Sequence, residues 1–267
     1  MELETTMPQN EYLKVLNVRV NKITAEEIIS KIDKFLLSEK QHYLVTFNPE
    51  MAVEAQKDNY FQSIINQADL VIPDGIGIIL AGKIIDCKIS LKKISGIDLI
   101  YKICEAEFIK DKKIYLLGAR EKVAEKAANI LRQKYFCLSI VGAEEGIKIL
   151  NTKYQILKSN SKSLSKLNNE LIQRINKAKP DILFVAFGSP RQEKWIFENL
   201  KKMPSVKLAI GVGGSFDFIS GKIKRAPLVF RKLGLEWFWR LILEPRRIKR
   251  IYNATMKFSW LVLKSIF

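Results

Sequence analysis

Tyr43-Leu44-Val45-Thr46-Phe47-Asn48-Pro49-Glu50 is the stretch that decides the fold. A short β-favouring apolar run closes on Thr46 and Asn48, and Pro49 then opens a helix at its first turn, where the missing N–H is harmless. The same grammar recurs outward along the chain. Leu70–Pro73, Lys113–Leu117, Leu138–Val141, Ile182–Phe187 and Lys207–Val212 are the other strand candidates. Several are continuous apolar runs, as expected of strands covered on both faces. Helices fit between them. Thr24 and Glu27 spell a capping box for a helix through about Leu37, and Pro49 starts one that runs to about Gln67. Arg120–Lys134 and Ser165–Lys177 are amphipathic, while residues 151–163, rich in Asn, Ser and Lys, read as a surface excursion. Strands alternating with helices predict a doubly wound, mostly parallel, Rossmann-like α/β sheet.

Of 267 residues, 48% are apolar and 27% charged, which excludes a disordered chain. Lys and Arg number 45 against 28 Asp and Glu, a net charge of +17. The excess is concentrated: residues 221–267 hold 12 basic side chains and only Glu236 and Glu244, a net +10. This separates a 1–220 α/β domain from a 221–267 appendage, which also carries Trp237, Trp239 and Trp260. Aromatic residues among cations suit a helical appendage lying on an anionic membrane. An ordinary helical pair with a solvated basic face has the same composition. A nucleic-acid arm fits the charge but not the aliphatic content. Met1–Tyr12 lacks the basic and apolar regions of a signal peptide, and no apolar run reaches the ~18 residues of a spanning helix. Cys87, Cys104 and Cys137, far apart, read as reduced and mostly buried thiols. The only histidine, His42, opens an apolar run and reads as structural, so His triads and multi-His metal sites are excluded.

In open α/β sheets, ligands gather beyond the carboxyl ends of the strands. Three polar clusters fall there: Thr46 and Asn48, then Asp74 with Gly75 and Gly77, then Gly188-Ser189-Pro190-Arg191-Gln192. Gly213-Gly214 is a fourth strand exit, suited to a phosphate or a plain turn. Gly118-Ala119-Arg120 is a poor match to GxGxxG and reads as a structural turn, which argues against a dinucleotide site. No Asp-x-Asp pair is present to clamp a metal, so a departing diphosphate needs cations, from Lys93 and the arginine-rich appendage.

Thr46–Glu50, Pro73–Gly77, Gly188–Trp195, Gly211–Asp217 and Gly221–Pro227 together resemble the WecG/TagA/CpsF glycosyltransferases, family 26, over roughly Leu16 to Arg250. The resemblance implies an inverting, metal-independent and cofactor-free enzyme, peripheral on the cytoplasmic face of the plasma membrane. Its implied reaction moves N-acetylmannosamine from UDP to the 4-hydroxyl of GlcNAc on undecaprenyl diphosphate, in teichoic acid linkage-unit synthesis. By position, Asp74 matches the family's proposed base, Thr46 and Asn48 its sugar- and acceptor-contacting residues, and Gln192 its glutamine near the donor. Arg240, Arg247 and Arg250 match arginines proposed to reach the active site or the lipid diphosphate. Lys93 stands where the family pattern has arginine, which keeps the charge and loses the planar fork. An ordinary Asp pKa near ~3.9 would leave Asp74 ionised without tuning. The same fold with UDP-glucose or UDP-ManNAc uronic acid as donor, for capsule or exopolysaccharide, and a non-catalytic basic module are the rival readings. Oligomeric state is not legible.

Overall fold

The computed structural model describes residues 11–87, 91–120, 122–146 and 161–266. Met1–Asn10 and most of the expected excursion at 151–163 lie outside the described residues. The chain opens on a hairpin absent from the sequence-based expectation. β1 (Tyr12–Val15) and β2 (Val18–Asn21) pair antiparallel through Leu16 and Asn17, both at positive φ. That backbone matches the right-handed twist of tight hairpins. Leu13, Val15, Val18 and Val20 are buried, and Asn21 Oδ1 accepts a hydrogen bond from Val71 N at 2.8 Å, fixing the hairpin to the main sheet.

α1 (Ala25–Leu37) carries both halves of its capping box: Thr24 Oγ1 accepts from Glu27 N, and Glu27 Oε2 accepts from Thr24 N. β3 (His42–Phe47) is buried throughout. The single helix expected from Pro49 to Gln67 is two, α2 (Pro49–Ala55) and α3 (Asn59–Asn66). Asp58 Oδ1 accepts from Phe61 N at 2.9 Å and caps the second helix. There follow β4 (Leu70–Pro73), α4 (Ile76–Ile85), α5 (Gly96–Glu105), β5 (Lys113–Gly118), α6 (Val123–Lys134), β6 (Ser139–Glu144) and α7 (Ser161–Ala178). β7 (Ile182–Ala186), α8 (Arg191–Asn199), β8 (Leu208–Gly211) and α9 (Ser215–Ile219) complete the body.

All six expected strands are present, and they run parallel in the order β4-β3-β8-β7-β5-β6. One core lies on each face. Met51 of α2 and Trp195 of α8 join the first, and Phe216 of α9 joins the second. β3 and β8 are therefore neighbours whose chains depart to opposite faces, which opens a crevice at their carboxyl ends.

The C-terminal segment holds α10 (Leu228–Lys232), α11 (Glu236–Leu243), a 3-10 turn at Pro245–Arg247, α12 (Ile248–Tyr252), a π turn and α13 (Phe258–Ile266). α13 packs on α2 and α4, with Phe258 and Val262 buried in the same core as Met51 and Ile78. Ile248, Met256, Trp260 and Leu263 remain exposed. Among the described residues, no helix is long and apolar enough to cross a membrane.

Two details differ from or refine the sequence reading. Cys87 and Cys137 lie in surface connections and are exposed, so only Cys104 is a buried thiol, and all three are free. His42 stacks on Phe35 and bridges Asp69 Oδ1 (2.9 Å) and Ser38 Oγ (2.7 Å) at the amino end of β3, away from the crevice.

Candidate active site

The exits of β3, β4, β5, β7 and β8 and the C-terminal helices line a cavity of about 1080 Å³. At the exit of β3, Thr46 Oγ1 donates to Gly211 O (3.0 Å), and Asn48 caps α2 by accepting from Met51 N (3.0 Å). At the exit of β4, Asp74 N donates to Phe47 O at 2.7 Å, so the first two motifs are stitched together by backbone. Gly75 takes φ +91°, and a Cβ at Gly77 would fall 2.7 Å from Pro49 Cγ. Only glycine lets these two turns pack so closely.

At the exits of β7 and β8, one side chain organises both loops. Gln192 is buried, and its Oε1 accepts from Gly188 N (3.2 Å) and Gly213 N (3.0 Å). Its Nε2 donates to Glu193 Oε1 at 2.7 Å. The amide expected to meet a donor therefore has protein partners at both ends, and it shapes the glycine loops that line the cavity.

Asp74 is the acid at the centre. Burial pushes its carboxyl up to about 7; Lys93 pulls it down, Glu236 and Asp98 push it up, and the Gly75 N–H pulls it down. The expectation of an untuned carboxylate is thus corrected: desolvation and two like charges outweigh one lysine. Burial also pushes Glu193, beneath the glycine loops, up to about 7.

Arginines crowd the same cavity. Arg240 Nε donates to Glu244 (2.8 Å), Arg247 Nη1 donates to the same oxygen (3.1 Å), and Arg250 Nε donates to Glu50 (2.5 Å). Burial, then the neighbouring Arg240 and Arg250, lowers the Arg247 pKa; burial, then Arg250 and Arg120, lowers that of Arg191. Guanidinium groups crowded until they depress one another form a site that an anion would relieve.

All eight expected residues, Thr46, Asn48, Asp74, Lys93, Gln192, Arg240, Arg247 and Arg250, line this one cavity. Lys93 does so while donating to Glu236 Oε2 at 2.6 Å. The Ala119-Arg120 turn, read from sequence as merely structural, lines it too, because β5 ends beside β7. Arg191 and Glu236 were also missed. Arg191 lay inside a quoted motif, whereas nothing in sequence pointed Glu236 at Lys93. Leu80, Ile84, Leu233 and Leu263 form an apolar side of the same cavity and are largely exposed.

A model of the Glycosyl transferase WecG/TagA/CpsF family matches residues 13–267. The chain belongs to the WecG/TagA/CpsF glycosyltransferase family. It is 32% identical over 237 residues to the N-acetylglucosaminyldiphosphoundecaprenol N-acetyl-beta-D-mannosaminyltransferase of Bacillus subtilis (strain 168), which covers 88% of this chain and 85% of that protein. The protein of the same name from Staphylococcus aureus (strain MRSA252) is 30% identical over 239 residues, covering 89% and 87%. The match of this WecG/TagA/CpsF member takes in the appendage as well as the sheet, so both walls of the cavity fall within it.

Proposed function

We propose that this protein is an inverting glycosyltransferase that moves N-acetylmannosamine from UDP to the 4-hydroxyl of GlcNAc on undecaprenyl diphosphate, feeding teichoic acid linkage-unit synthesis. The observation that carries the reading is Asp74, tuned to about 7, opening on the same cavity as five arginines. In a single displacement, the acceptor oxygen bonds to the anomeric carbon, the bond from that carbon to UDP breaks, and the acceptor proton passes to Asp74. A base with a pKa near the working pH combines adequate ionisation with adequate driving force. Negative charge developing on UDP falls to the arginine wall, whose cations are already positioned.

The apolar side formed by Leu80, Ile84, Leu233 and Leu263 suits the polyprenyl end of the acceptor. The exposed Ile248, Trp260 and Leu263, with Arg246 and Lys249 exposed nearby, suit an anionic membrane surface on the cytoplasmic face. The test is UDP release from UDP-ManNAc with a GlcNAc-diphosphate-lipid acceptor. Turnover that falls about 10²–10⁴-fold in Asp74→Asn is expected of a lost general base. Release only with UDP-glucose or UDP-ManNAc uronic acid reassigns the donor, and release with none of the three removes the enzymatic reading.

A further inference from the structure

The Gly221–Pro227 segment and Glu236 contribute to a charged chain beside the base that the displacement described above leaves without a task. Lys93 Nζ donates to Glu236 Oε2 at 2.6 Å. Arg225 Nε donates to Glu236 Oε1 at 3.4 Å, and its Nη2 donates to both Asp98 oxygens at 2.7 Å. Ser95 Oγ donates to Asp98 Oδ2 at 2.5 Å and ties that carboxylate to the first turn of α5. The charges facing Asp74 thus come from three directions: Lys93 from the segment before α5, Asp98 from α5 itself and Glu236 from α11. Arg225, from the loop before α10, holds the last two. On the α2 side, Glu50 is paired with Arg250.

Counted with Asp74, this set has two cations and three carboxyl groups. It balances only when Asp74 is neutral. A lysine facing a shielded aspartate would ordinarily form an ion pair with it, lowering its proton affinity and occupying the direction from which a hydroxyl must come. Here the ammonium still pulls on Asp74, but it is held on Glu236, and the acid that holds it arrives on the C-terminal segment.

We propose that Glu236 is a positioning residue for the base: it draws the Lys93 ammonium onto its own carboxylate and so keeps that cation from quenching Asp74 as a proton acceptor. The proposal rests on the reading of Asp74 as the base. It gives the C-terminal segment a second contribution to the site, an acid placed behind the lysine, distinct from the arginines it offers to phosphate. The base keeps its basicity only while α11 lies across the cavity.

Carbon-detected NMR titration of the Asp74 carboxyl in the full chain, assigned with Asp74→Asn, tests this beside the pH profile of kcat/KM. In Glu236→Gln, the released Lys93 should move the Asp74 titration and the acidic limb of the profile down by about one pH unit. The high-pH plateau of kcat should drop roughly threefold to tenfold, because a less basic carboxylate is a weaker general base. Lys93→Met should move the titration the opposite way, and Glu236→Asp should hold it near the wild-type position. Variants that lose turnover at every pH, with the Asp74 titration unmoved, overturn the proposal and leave Glu236 a purely structural residue. Full turnover in Asp74→Asn overturns the base reading instead. In that case the NMR shift still supports or overturns the charge coupling by itself.

Discussion

Arg250 Nε donates to Glu50 Oε1 at 2.5 Å, joining a residue of the C-terminal segment to the first turn of α2, 200 positions earlier. Both side chains are substantially exposed, 48% and 33%. Exposed pairs of this kind contribute about 0–1 kcal/mol. The rim contact over the cavity is therefore weak, and the strong hold on the segment lies further along, where Phe258 and Val262 enter the core.

That division of labour separates stability from membrane contact. Phe258→Ala should lower the unfolding free energy by about 3–5 kcal/mol, as large-to-small changes at buried aromatic positions do. Trp260, 58% exposed, should cost under ~0.5 kcal/mol when replaced by Ala. Its loss should instead weaken flotation with vesicles containing anionic lipid. Unchanged flotation in Trp260→Ala with Leu263→Ala would show that this face does not meet the membrane.

Rate should follow the ionisation of Asp74. With its carboxyl at about 7, kcat/KM should rise with pH through neutrality and level off above it. A limb near ~4, the ordinary aspartate range, would show that the carboxyl is untuned in solution.

Stability should run the other way. The folded state holds the Asp74 proton up to about 7, whereas an unfolded aspartate releases it near ~3.9. Raising the pH through that window therefore favours the unfolded chain, and Glu193, also raised to about 7, adds to the effect. Asp74→Asn removes one of the two penalties. Its gain should be absent near pH ~4 and grow by ~1.4 kcal/mol per pH unit to about 4 kcal/mol above pH ~7, read as thermal unfolding at several pH values. The same variant should thus be less active and more stable at pH ~8.

Two glycines should respond differently to the same added methyl. At Gly214, whose φ of −86° suits any residue, a Cβ would sit 2.8 Å from Arg240 Nη2, the movable end of a long side chain. Gly214→Ala should displace that arginine and cut kcat/KM about tenfold while shifting the melting temperature by less than ~2 °C. At Gly96 the methyl would meet Ser215 Oγ at 2.9 Å and the Val212 carbonyl oxygen at 3.1 Å, which are fixed by the β8 exit. Gly96→Ala should lower stability as well as turnover.

The strands were legible because they are continuous buried runs: Ile182-Leu183-Phe184-Val185-Ala186 has no polar residue to mislead. The first hairpin was not, since its strands are four residues each and its turn uses Leu16-Asn17 rather than a glycine pair. The helix break at Asp58 was hidden for a similar reason. One aspartate among polar residues announces a cap only once the following amide is seen to point at it. The positions lining the cavity were legible wherever a strand exit carried polar residues. The state of Asp74 was not, because it depends first on burial and then on Lys93, Glu236 and Asp98, which only the folded chain brings together. The glycine spacing around Arg120 says nothing of a site, because what brings Arg120 to the cavity is the pairing of β5 with β7.

The pairing of β3 with β8 has a consequence for biosynthesis. Thr46 reports to Gly211, 165 residues later, so β3 gains its neighbour β8 only long after it has itself been made. A nascent polypeptide still on the ribosome holds β3 with one edge open until β8 emerges, and an unpaired apolar edge invites wrong partners. The proposed catalytic crevice, which lies along that same seam, can exist only after translation has passed β8, so a prematurely terminated product lacking β8 would be both inactive and prone to aggregate.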